Sequence, residues 1–189
     1  MGIFSRWMAR HAGKVDSFEC NPHLFEHLER FLPRNVSLHR CALSSAPGRA
    51  SLRFDPGNTG IGTIESANRL DKNPGIRLVE SIEVEVSRLD DFQLGPCSFV
   101  KIDVEGHELE VLKGARQFLE RNRPTLLIEI EERHCPGNLK AVPEWLAALN
   151  YDSWVLGDQE KLAPALELEI YSARCNNFWF LPRSATSDC

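Results

Sequence analysis

The stretch FVKIDVEGHELEVLKGA, residues 99–115, combines a short apolar run, an acidic turn around a glycine and a helical pattern. Residues 98–102 predict a buried strand, and residues 108–121 predict one amphipathic helix with a continuous apolar face. A second apolar run, PTLLIEI at residues 124–130, follows the helix directly. A strand, a helix and a strand in this order are typical of a parallel βαβ unit, so we expect an α/β fold.

The alternation of strands and helices continues on both sides of this unit. The segments that show it are a helix at residues 3–12, a strand at 15–18, a helix that starts at Asn21-Pro22, strands at 35–43, 49–54 and 81–86, a helical turn at 89–92, a helix at 142–149, and strands at 151–156 and 177–181. Residues 55–62, rich in glycine, asparagine and proline, predict a loop within a polar insertion. Together these segments predict a mostly parallel sheet with helices on both faces.

Length and composition limit the class of protein. The 189 residues suffice for one domain, which we place at residues 1–183, followed by a flexible tail at 184–189. The net charge of -5 argues against a nucleic-acid-binding surface. No apolar run approaches the roughly 20 residues that span a bilayer. We therefore expect a soluble, cytoplasmic protein with neither nucleic acid nor a membrane as partner.

Cysteine and histidine spacing gives little sign of a metal. The six cysteines lie far apart without a CxxC pair, so we expect reduced thiols and no zinc knuckle. The segment HLFEH, residues 23–27, has the histidine spacing of inverted zinc peptidases. Five residues of common types are a weak signal, and the Asn21-Pro22 cap already explains a helix here. No metal site is predicted.

Candidate site residues are those that follow the predicted strands, because ligands bind at the carboxyl ends of strands in an open parallel sheet. These residues are Glu19, the segment 41–44, Asp103 with Glu105, and Glu129 with Glu131. An acidic residue that ends the second strand of such a fold is placed to bind ribose hydroxyls, although Glu19 could also be a solvated carboxylate. Asp103 ends a buried strand, where a carboxylate needs a partner, and a cationic cofactor would provide one.

The turn after Asp103 offers further candidates. Gly106 permits a sharp turn. His107 could act as a general base toward a substrate hydroxyl, since its ordinary pKa is about 6.5, but a surface histidine that opens a helix is the more frequent case. Glu105 and Glu108 lie near the start of the predicted helix, where the helix dipole favours acidic residues without any catalytic role.

Several of these segments resemble the FkbM-type methyltransferase family. The most specific is KIDVEGHELEVLKGA followed by RPTLLIEIEE, and the resemblance extends over VDSFECNPHLFEHLERFL, HRCALSSAPGRASLRF, VSRLDDF and NNFWFLP, which together span almost the whole chain. The resemblance implies a Rossmann-like class I three-layer sandwich with an antiparallel last strand. It also implies that S-adenosylmethionine is bound and that its methyl group is moved, usually to a hydroxyl oxygen, here of a small molecule or glycan.

The resemblance also implies roles for single residues. Glu19 would hold the ribose, with Asn21 beside it among the cofactor-binding residues. Cys41, Ala42 and Leu43 would line the adenine. Asp103 would face the methionine end of the cofactor. Asp103, Glu105 and His107 are the catalytic candidates, with Glu105 and His107 at the acceptor.

One family feature is expected to be missing. Family members have a strand and a glycine-rich turn before the first helix of this pattern, and here Gly2 stands where the last glycine of that turn would be. Without that first strand, two strand edges would be unpaired. Three readings stay open: an active methyltransferase, a catalytically inactive remnant that serves as a binding module, and a nicotinamide-dependent oxidoreductase. The last would need a G-x-G-x-x-G turn, which the sequence does not show. The oligomeric state is not predicted.

Overall fold

The computed structural model describes residues 2–70, 76, 78–156, 162–165 and 175–183. Its helices are α1 Ile3–Met8, α2 Pro22–Phe31, α3 Glu108–Lys113, α4 Arg116–Asn122 and α5 Asn138–Ala147. Its strands are β1 Val15–Phe18, β2 Val36–His39, β3 Ala42–Leu43, β4 Gly48–Asp55, β5 Asn58–Thr63, β6 Glu80–Ser87, β7 Phe99–Ile102, β8 Thr125–Glu129, β9 Tyr151–Leu156, β10 Leu162–Pro164 and β11 Asn177–Pro182. The predicted tail at 184–189 lies outside the described residues.

The strands form three hydrogen-bonded groups. β1 and β2 pair in parallel, and the order of the second group is β10-β9-β11-β8-β7. β7 and β8 are parallel, whereas β11 runs antiparallel to both β8 and β9. The third group has the order β3-β6-β4-β5 and is mainly antiparallel. The α/β class and the antiparallel last strand are confirmed. The sheets are mixed and not mostly parallel, because β4 pairs antiparallel with β5 and β6, and β9 pairs antiparallel with β10 and β11.

Two apolar clusters hold these sheets in place. The larger lies between helices α3, α4 and α5 and the β7–β8–β11–β9 sheet, and its fully buried members include Leu112, Leu126, Ile128, Val142, Phe178 and Phe180. The smaller lies on one face of the β3–β6–β4 sheet and consists of Ala42, Leu52, Phe54, Val84 and Val86. In β6, Val84 and Val86 point inward while Glu83 and Glu85 are less buried, as expected when side chains alternate between faces. Each fully buried Leu or Phe contributes about 1.5–3 kcal/mol.

The predicted helix over residues 108–121 is two helices, α3 and α4, and Asp90 contacts the chain where they meet. The backbone N–H groups of Gln117 and Phe118 donate to the Asp90 carboxylate at 3.0 and 2.8 Å, so Asp90 caps α4 from a neighbouring turn. The backbone N–H of Asp90 in turn donates to the carbonyl of Gly114 at 3.0 Å. Asp90, distant in sequence, therefore contacts the end of α3 through its backbone and caps the start of α4 through its side chain.

Two further boundaries differ from the sequence prediction. The predicted strand at 35–43 is divided between β2 and β3, which belong to different sheets. The predicted loop at 55–62 contains β5, which pairs with β4 after a turn in which Asp55 accepts a hydrogen bond from the Gly57 N–H at 2.8 Å. The glycines of β5 have low strand propensity, and pairing with β4 overrides it.

Helix α1 is shorter than predicted, and it leaves its apolar face open. Ile3, Phe4 and Trp7 are 70%, 52% and 57% exposed. The hydroxyl groups of Ser5 and Ser17 hydrogen-bond at 3.0 Å, which fixes α1 on β1. Within the described ranges, no helix has both the length and the apolarity needed to cross a bilayer.

Candidate functional site

Acidic side chains gather where β7 and β8 end. The two strands are parallel neighbours, with Ile102 opposite Ile128, so their carboxyl ends lie at the same edge of the sheet. The carboxylates at this edge, which we call the acidic edge, are Asp103, Glu105, Glu129 and Glu131. Lys101 Nζ lies 3.8 Å from Asp103 Oδ2 and 3.7 Å from Glu129 Oε2, and the lysine side chain is only 6% exposed. The buried Lys101 ammonium group thus lies within 4 Å of two of these carboxylates.

Amide and guanidinium groups hold two of these carboxylates. Asn176 Nδ2 donates to Glu129 Oε1 at 2.8 Å and to Glu131 Oε1 at 3.0 Å. The Arg133 guanidinium donates to Glu131 and lowers its pKa. Burial, followed by the nearby Asp103, raises the pKa of Glu129. Asp103 is less constrained: its side chain is 42% exposed, which leaves its carboxylate accessible from solvent.

Glu105 is held by its backbone. Its φ of 55° lies in the left-handed region, which is uncommon for a residue other than glycine. Its carbonyl accepts hydrogen bonds from Thr63 Oγ1 at 2.9 Å and Asn68 Nδ2 at 2.7 Å, and both donor residues are 1% exposed. Burial, followed by the charges of Asp103, Glu129 and Glu131, raises the pKa of Glu105 to about 7. An exposed glutamate would be fully ionised at neutral pH, and this one is not.

Gly106 and Glu108 build the turn itself. Gly106 has a φ of 107°, and a Cβ there would lie 2.9 Å from the carbonyl oxygen of His134. Its N–H donates to Glu108 Oε1 at 2.8 Å, and Asn138 Nδ2 donates to Glu108 Oε2 at 3.0 Å. Glu108 is 2% exposed, and burial raises its pKa. Its contacts are those of a carboxylate that closes the turn at the start of α3.

His107 uses both ring nitrogens for contacts within the protein. Nδ1 lies 2.9 Å from Glu65 Oε2, and Nε2 lies 2.9 Å from Ser44 Oγ. Since a carboxylate accepts, Nδ1 is the donor and Nε2 accepts from the serine hydroxyl in the neutral ring. Burial opposes ionisation of Glu65, but hydrogen bonds from Ala67 N–H and His107 outweigh it and lower the pKa of Glu65. A role for His107 as base stays a prediction, and it would require one of these bonds to break.

The ribose candidates lie beyond β1. Glu19 Oε1 accepts a hydrogen bond from the Asn21 N–H at 2.8 Å, and burial raises the pKa of Glu19. Asn21 is 3% exposed; its Oδ1 accepts from the His23 N–H at 3.1 Å and its Nδ2 donates to the Thr59 carbonyl at 3.2 Å. The predicted N-cap is confirmed. Cofactor binding by Glu19 and Asn21 stays a prediction.

The adenine candidates form a small apolar segment between β2 and β4. Cys41 and Ala42 are each 8% exposed, and Leu43 packs against the larger core. Burial raises the pKa of the Cys41 thiol. The next residue, Ser44, bonds to His107, so the segment 41–43 ends beside the turn at 103–107. Strand β5 adds a second connection, because Thr59 contacts Asn21 and Thr63 contacts Glu105.

Other polar residues of this region were missed by the sequence reasoning. They are Lys101, Thr63, Glu65, Asn68 and His134. His134 follows Glu131 by three positions, so a search that extended a few residues past each strand would have included it. Thr63, Glu65 and Asn68 lie in the polar insertion and gave no pattern. Within the part of the chain that the structure describes, no group of three or more His, Cys, Asp or Glu residues is arranged to hold a metal ion.

Known proteins share this sequence pattern. Methyltransferase 1 of Beauveria bassiana is 30% identical over 135 residues, covering 60% of this chain and 54% of the relative. Methyltransferase sdnD of Sordaria araneosa is 31% identical over 146 residues, covering 60% of this chain and 56% of the relative. The chain therefore spans about half the length of the curated relatives it matches.

A solved structure shares the fold. The crystal structure of Methyltransferase FkbM from Methylobacillus flagellatus KT matches with a TM-score of 0.55 at 18% identity, covering 89% of this chain and 36% of that chain. The profile of the Methyltransferase FkbM domain family matches residues 4–153, which include β1, the segment 41–44 and the whole turn from Asp103 to His107. The chain belongs to the FkbM methyltransferase family.

Proposed function

We propose that this chain is an S-adenosylmethionine-dependent methyltransferase domain that methylates a hydroxyl group of a small molecule or glycan. The observation that carries the proposal is the acidic edge at the carboxyl ends of β7 and β8, in a chain of this family. The donor would supply an electrophilic methyl group on a sulfonium. The same proposal includes an acceptor that is not a nucleic acid and a cytoplasmic location.

The residues present fit a cationic cofactor. The edge carries four carboxylates and two cationic side chains, Lys101 near Asp103 and Glu129, and Arg133 bonded to Glu131, so its local charge is negative. A sulfonium and an α-ammonium group are both stabilised by such a charge. Asp103, with its exposed carboxylate, would bind the ammonium end, and Ala42 and Leu43 offer an apolar surface for the adenine. Glu19 would accept hydrogen bonds from the ribose through the oxygen that Asn21 does not occupy.

Catalysis by these residues would depend mainly on placement. Holding the acceptor oxygen in line with the methyl group replaces a bimolecular encounter by a fixed geometry, which can account for about 7–11 kcal/mol of barrier reduction. The rigid contacts of the 103–107 turn with Thr63, Asn68 and Ser44 suit that task. Removal of the acceptor proton by a carboxylate or imidazole would add a factor of about 10²–10⁴.

The class I, Rossmann-like arrangement is part of the proposal. Among the described strands, β1 pairs with β2 and β7 pairs with β8, so each has one edge without a partner. Helix α1 connects these edges, since Ser5 bonds to Ser17 of β1 and the ring of Phe4 lies 5.5 Å from Lys101 Nζ of β7. We propose that β1 and β7 belong to one sheet with the place of the family's first strand between them.

Calorimetric titration with S-adenosylhomocysteine tests the function. We expect micromolar binding that is weakened at least tenfold by Asp103→Asn, because the neutral amide loses the attraction for the ammonium group. Glu26→Gln, which removes a remote carboxylate that is 77% exposed, is the matched control and should bind as the unmodified chain does. Absence of binding in the unmodified chain would refute the cofactor assignment and favour an inactive remnant that serves as a binding module.

A further inference from the structure

His134 is a buried histidine with an unsatisfied ring nitrogen. It lies in the turn after β8, where its backbone N–H donates to the Glu131 carbonyl at 3.0 Å, and its side chain is 6% exposed. Nε2 makes no hydrogen bond of normal geometry with any described residue. A buried polar atom without a partner is costly, so one in a native fold calls for an explanation.

The side chain nearest to this nitrogen is Glu105. His134 Nε2 lies 3.1 Å from Glu105 Oε2, close enough for a proton to be shared, although the direction of approach is not that of a formed hydrogen bond. The turn at 103–107 and the turn that contains His134 cannot separate easily. Gly106 packs directly on the backbone of His134, and Thr63 and Asn68 hold the Glu105 carbonyl. Glu105 itself remains 23% exposed, so solvent or a substrate can reach it.

The charges around the two groups favour a single proton between them. The charged groups that act on them are Asp103, Glu129 and Glu131 of the acidic edge and Arg133, which is bonded to Glu131. The other charged groups of this region have other partners: Lys101 lies near Asp103, Glu65 bonds to His107, and Glu108 accepts from the Gly106 N–H. Burial lowers the pKa of His134, and burial with the neighbouring carboxylates raises that of Glu105 to about 7. The pair has two states with the same number of protons. In one, an ionised Glu105 lies beside a charged His134, and in the other, a protonated Glu105 lies beside a neutral His134.

We propose that Glu105 and His134 form a proton-sharing pair in which Glu105 takes the proton of the acceptor hydroxyl and His134 is a positioning residue for its carboxyl. The proposal rests on the methyltransferase function proposed above. In the reaction, the bond between acceptor oxygen and methyl carbon forms as the carbon–sulfur bond breaks. The hydroxyl proton passes to the Glu105 carboxylate, and the donor leaves as a neutral thioether.

Glu105 suits this role better than His107 does. Both ring nitrogens of His107 are already bonded, to Glu65 and Ser44. Glu105 has its carboxylate at the open edge, with no described hydrogen bond to occupy it, and a base whose pKa is near the working pH transfers protons efficiently. His107 then holds the turn, and Glu105 contacts the acceptor.

Nuclear magnetic resonance titration of the chain tests the pair directly. The ring signals of His134, assigned by their absence in His134→Gln, and the side-chain carboxyl ¹³C signal of Glu105 are followed between about pH 5 and pH 9. We expect the signals of both groups to titrate with one common midpoint near neutral pH. In Glu105→Gln the His134 step should move to lower pH, because the anion that favours the charged ring is gone.

The outcomes are distinct. Glu26→Gln is the matched control and should leave the His134 titration unchanged. If His134 titrates identically in the unmodified chain and in Glu105→Gln, the pair is refuted. If Glu105→Gln does not fold, different midpoints for Glu105 and His134 in the unmodified chain refute it equally.

Calorimetry with two ligands tests whether the Glu105 carboxyl lies beside the methyl group. S-adenosylmethionine brings a positive sulfur that S-adenosylhomocysteine lacks, so its binding at neutral pH should release additional protons from the pair. The release is measured in buffers of different ionisation enthalpy, and the difference between the ligands should vanish in Glu105→Gln. Equal release by both ligands overturns the placement of Glu105 at the methyl group. Failure of both ligands to bind overturns the proposed function, while the magnetic resonance titration still decides the pair.

Discussion

Replacing Gly114 by alanine tests how the 99–115 stretch is packed. Gly114 is buried at the C-terminal end of α3, in an ordinary helical conformation with φ of -74° and ψ of -6°. An added Cβ would lie 1.9 Å from the carbonyl oxygen of Ser44, and the neighbouring contacts are also backbone atoms. The substitution therefore causes no torsional strain and acts through steric overlap alone. The overlap cannot be relieved by a side-chain rotation.

The expected loss of stability follows from what must move. To bring the carbonyl oxygen of Ser44 from 1.9 Å to an ordinary contact distance, the backbone at 44–45 has to shift by about 1.5 Å, and overpacking of this kind costs about 1–3 kcal/mol. The same shift strains the Ser44–His107 and Ser45–Glu110 hydrogen bonds, each of which contributes about 0.5–1.5 kcal/mol. We expect the free energy of unfolding to fall by about 3–5 kcal/mol, which is a large part of the total for a domain of this size.

Urea unfolding followed by circular dichroism measures this loss. The matched control is Gly13→Ala, because Gly13 is exposed and a Cβ there would meet nothing within 4 Å. The control should change the free energy of unfolding by less than about 1 kcal/mol in either direction. A loss of under about 1 kcal/mol for Gly114→Ala would refute the reasoning, since it would mean that the segment at 44–45 accommodates a methyl group without consequence.

Three further predictions concern the site and its support. Because the pKa of Glu105 is raised from 4.5 to about 7, its contribution to stability is complete below about pH 4.5 and is lost as the pH rises through 7. Glu105→Gln should therefore remove about 2–3 kcal/mol of pH dependence from the free energy of unfolding across that interval, and an unchanged pH profile would contradict the assignment. Asn68→Ala should lower the free energy of unfolding by about 1–3 kcal/mol, since it removes a buried donor to the Glu105 carbonyl. Glu26→Gln, at an exposed position, should not lower it. Equal losses for the two variants would disprove the role of the buried donor. Burial raises the pKa of the Cys20 thiol to about 12, so Cys20 should resist alkylation at pH 8 until urea unfolds the chain. Peptide mass spectrometry measures the alkylation. Rapid alkylation of Cys20 in the folded protein would count against this burial.

Much of the framework could be read from local patterns. The Asn21-Pro22 start of α2, the buried strands at 99–102 and 125–129, and the strand after 151 all appear where periodicity and capping residues place them. These features depend on residues within a few positions of each other, which is why a sequence alone suffices. The position of Asp103 at the end of a buried strand followed from the same rule.

Other features depend on contacts between distant segments. The start of α4 is capped by the carboxylate of Asp90, and β5 forms from a glycine-rich segment because β4 pairs with it. The use of both His107 ring nitrogens requires Glu65 and Ser44, which come from two other loops. None of these partners is marked by spacing or residue type, so no local pattern could have indicated them.

The sequence by itself determined the family, the α/β class and the acidic residues at the ends of β7 and β8, because each of these is encoded in short runs of residues. The tertiary structure decided which of those residues is free to act. It engages both nitrogens of His107, places Glu108 inside a turn, and brings the buried His134 to within 3.1 Å of Glu105. The physical reason is that protonation state and availability depend on burial and on neighbouring charges, and these are set by chain segments that meet only in the folded protein.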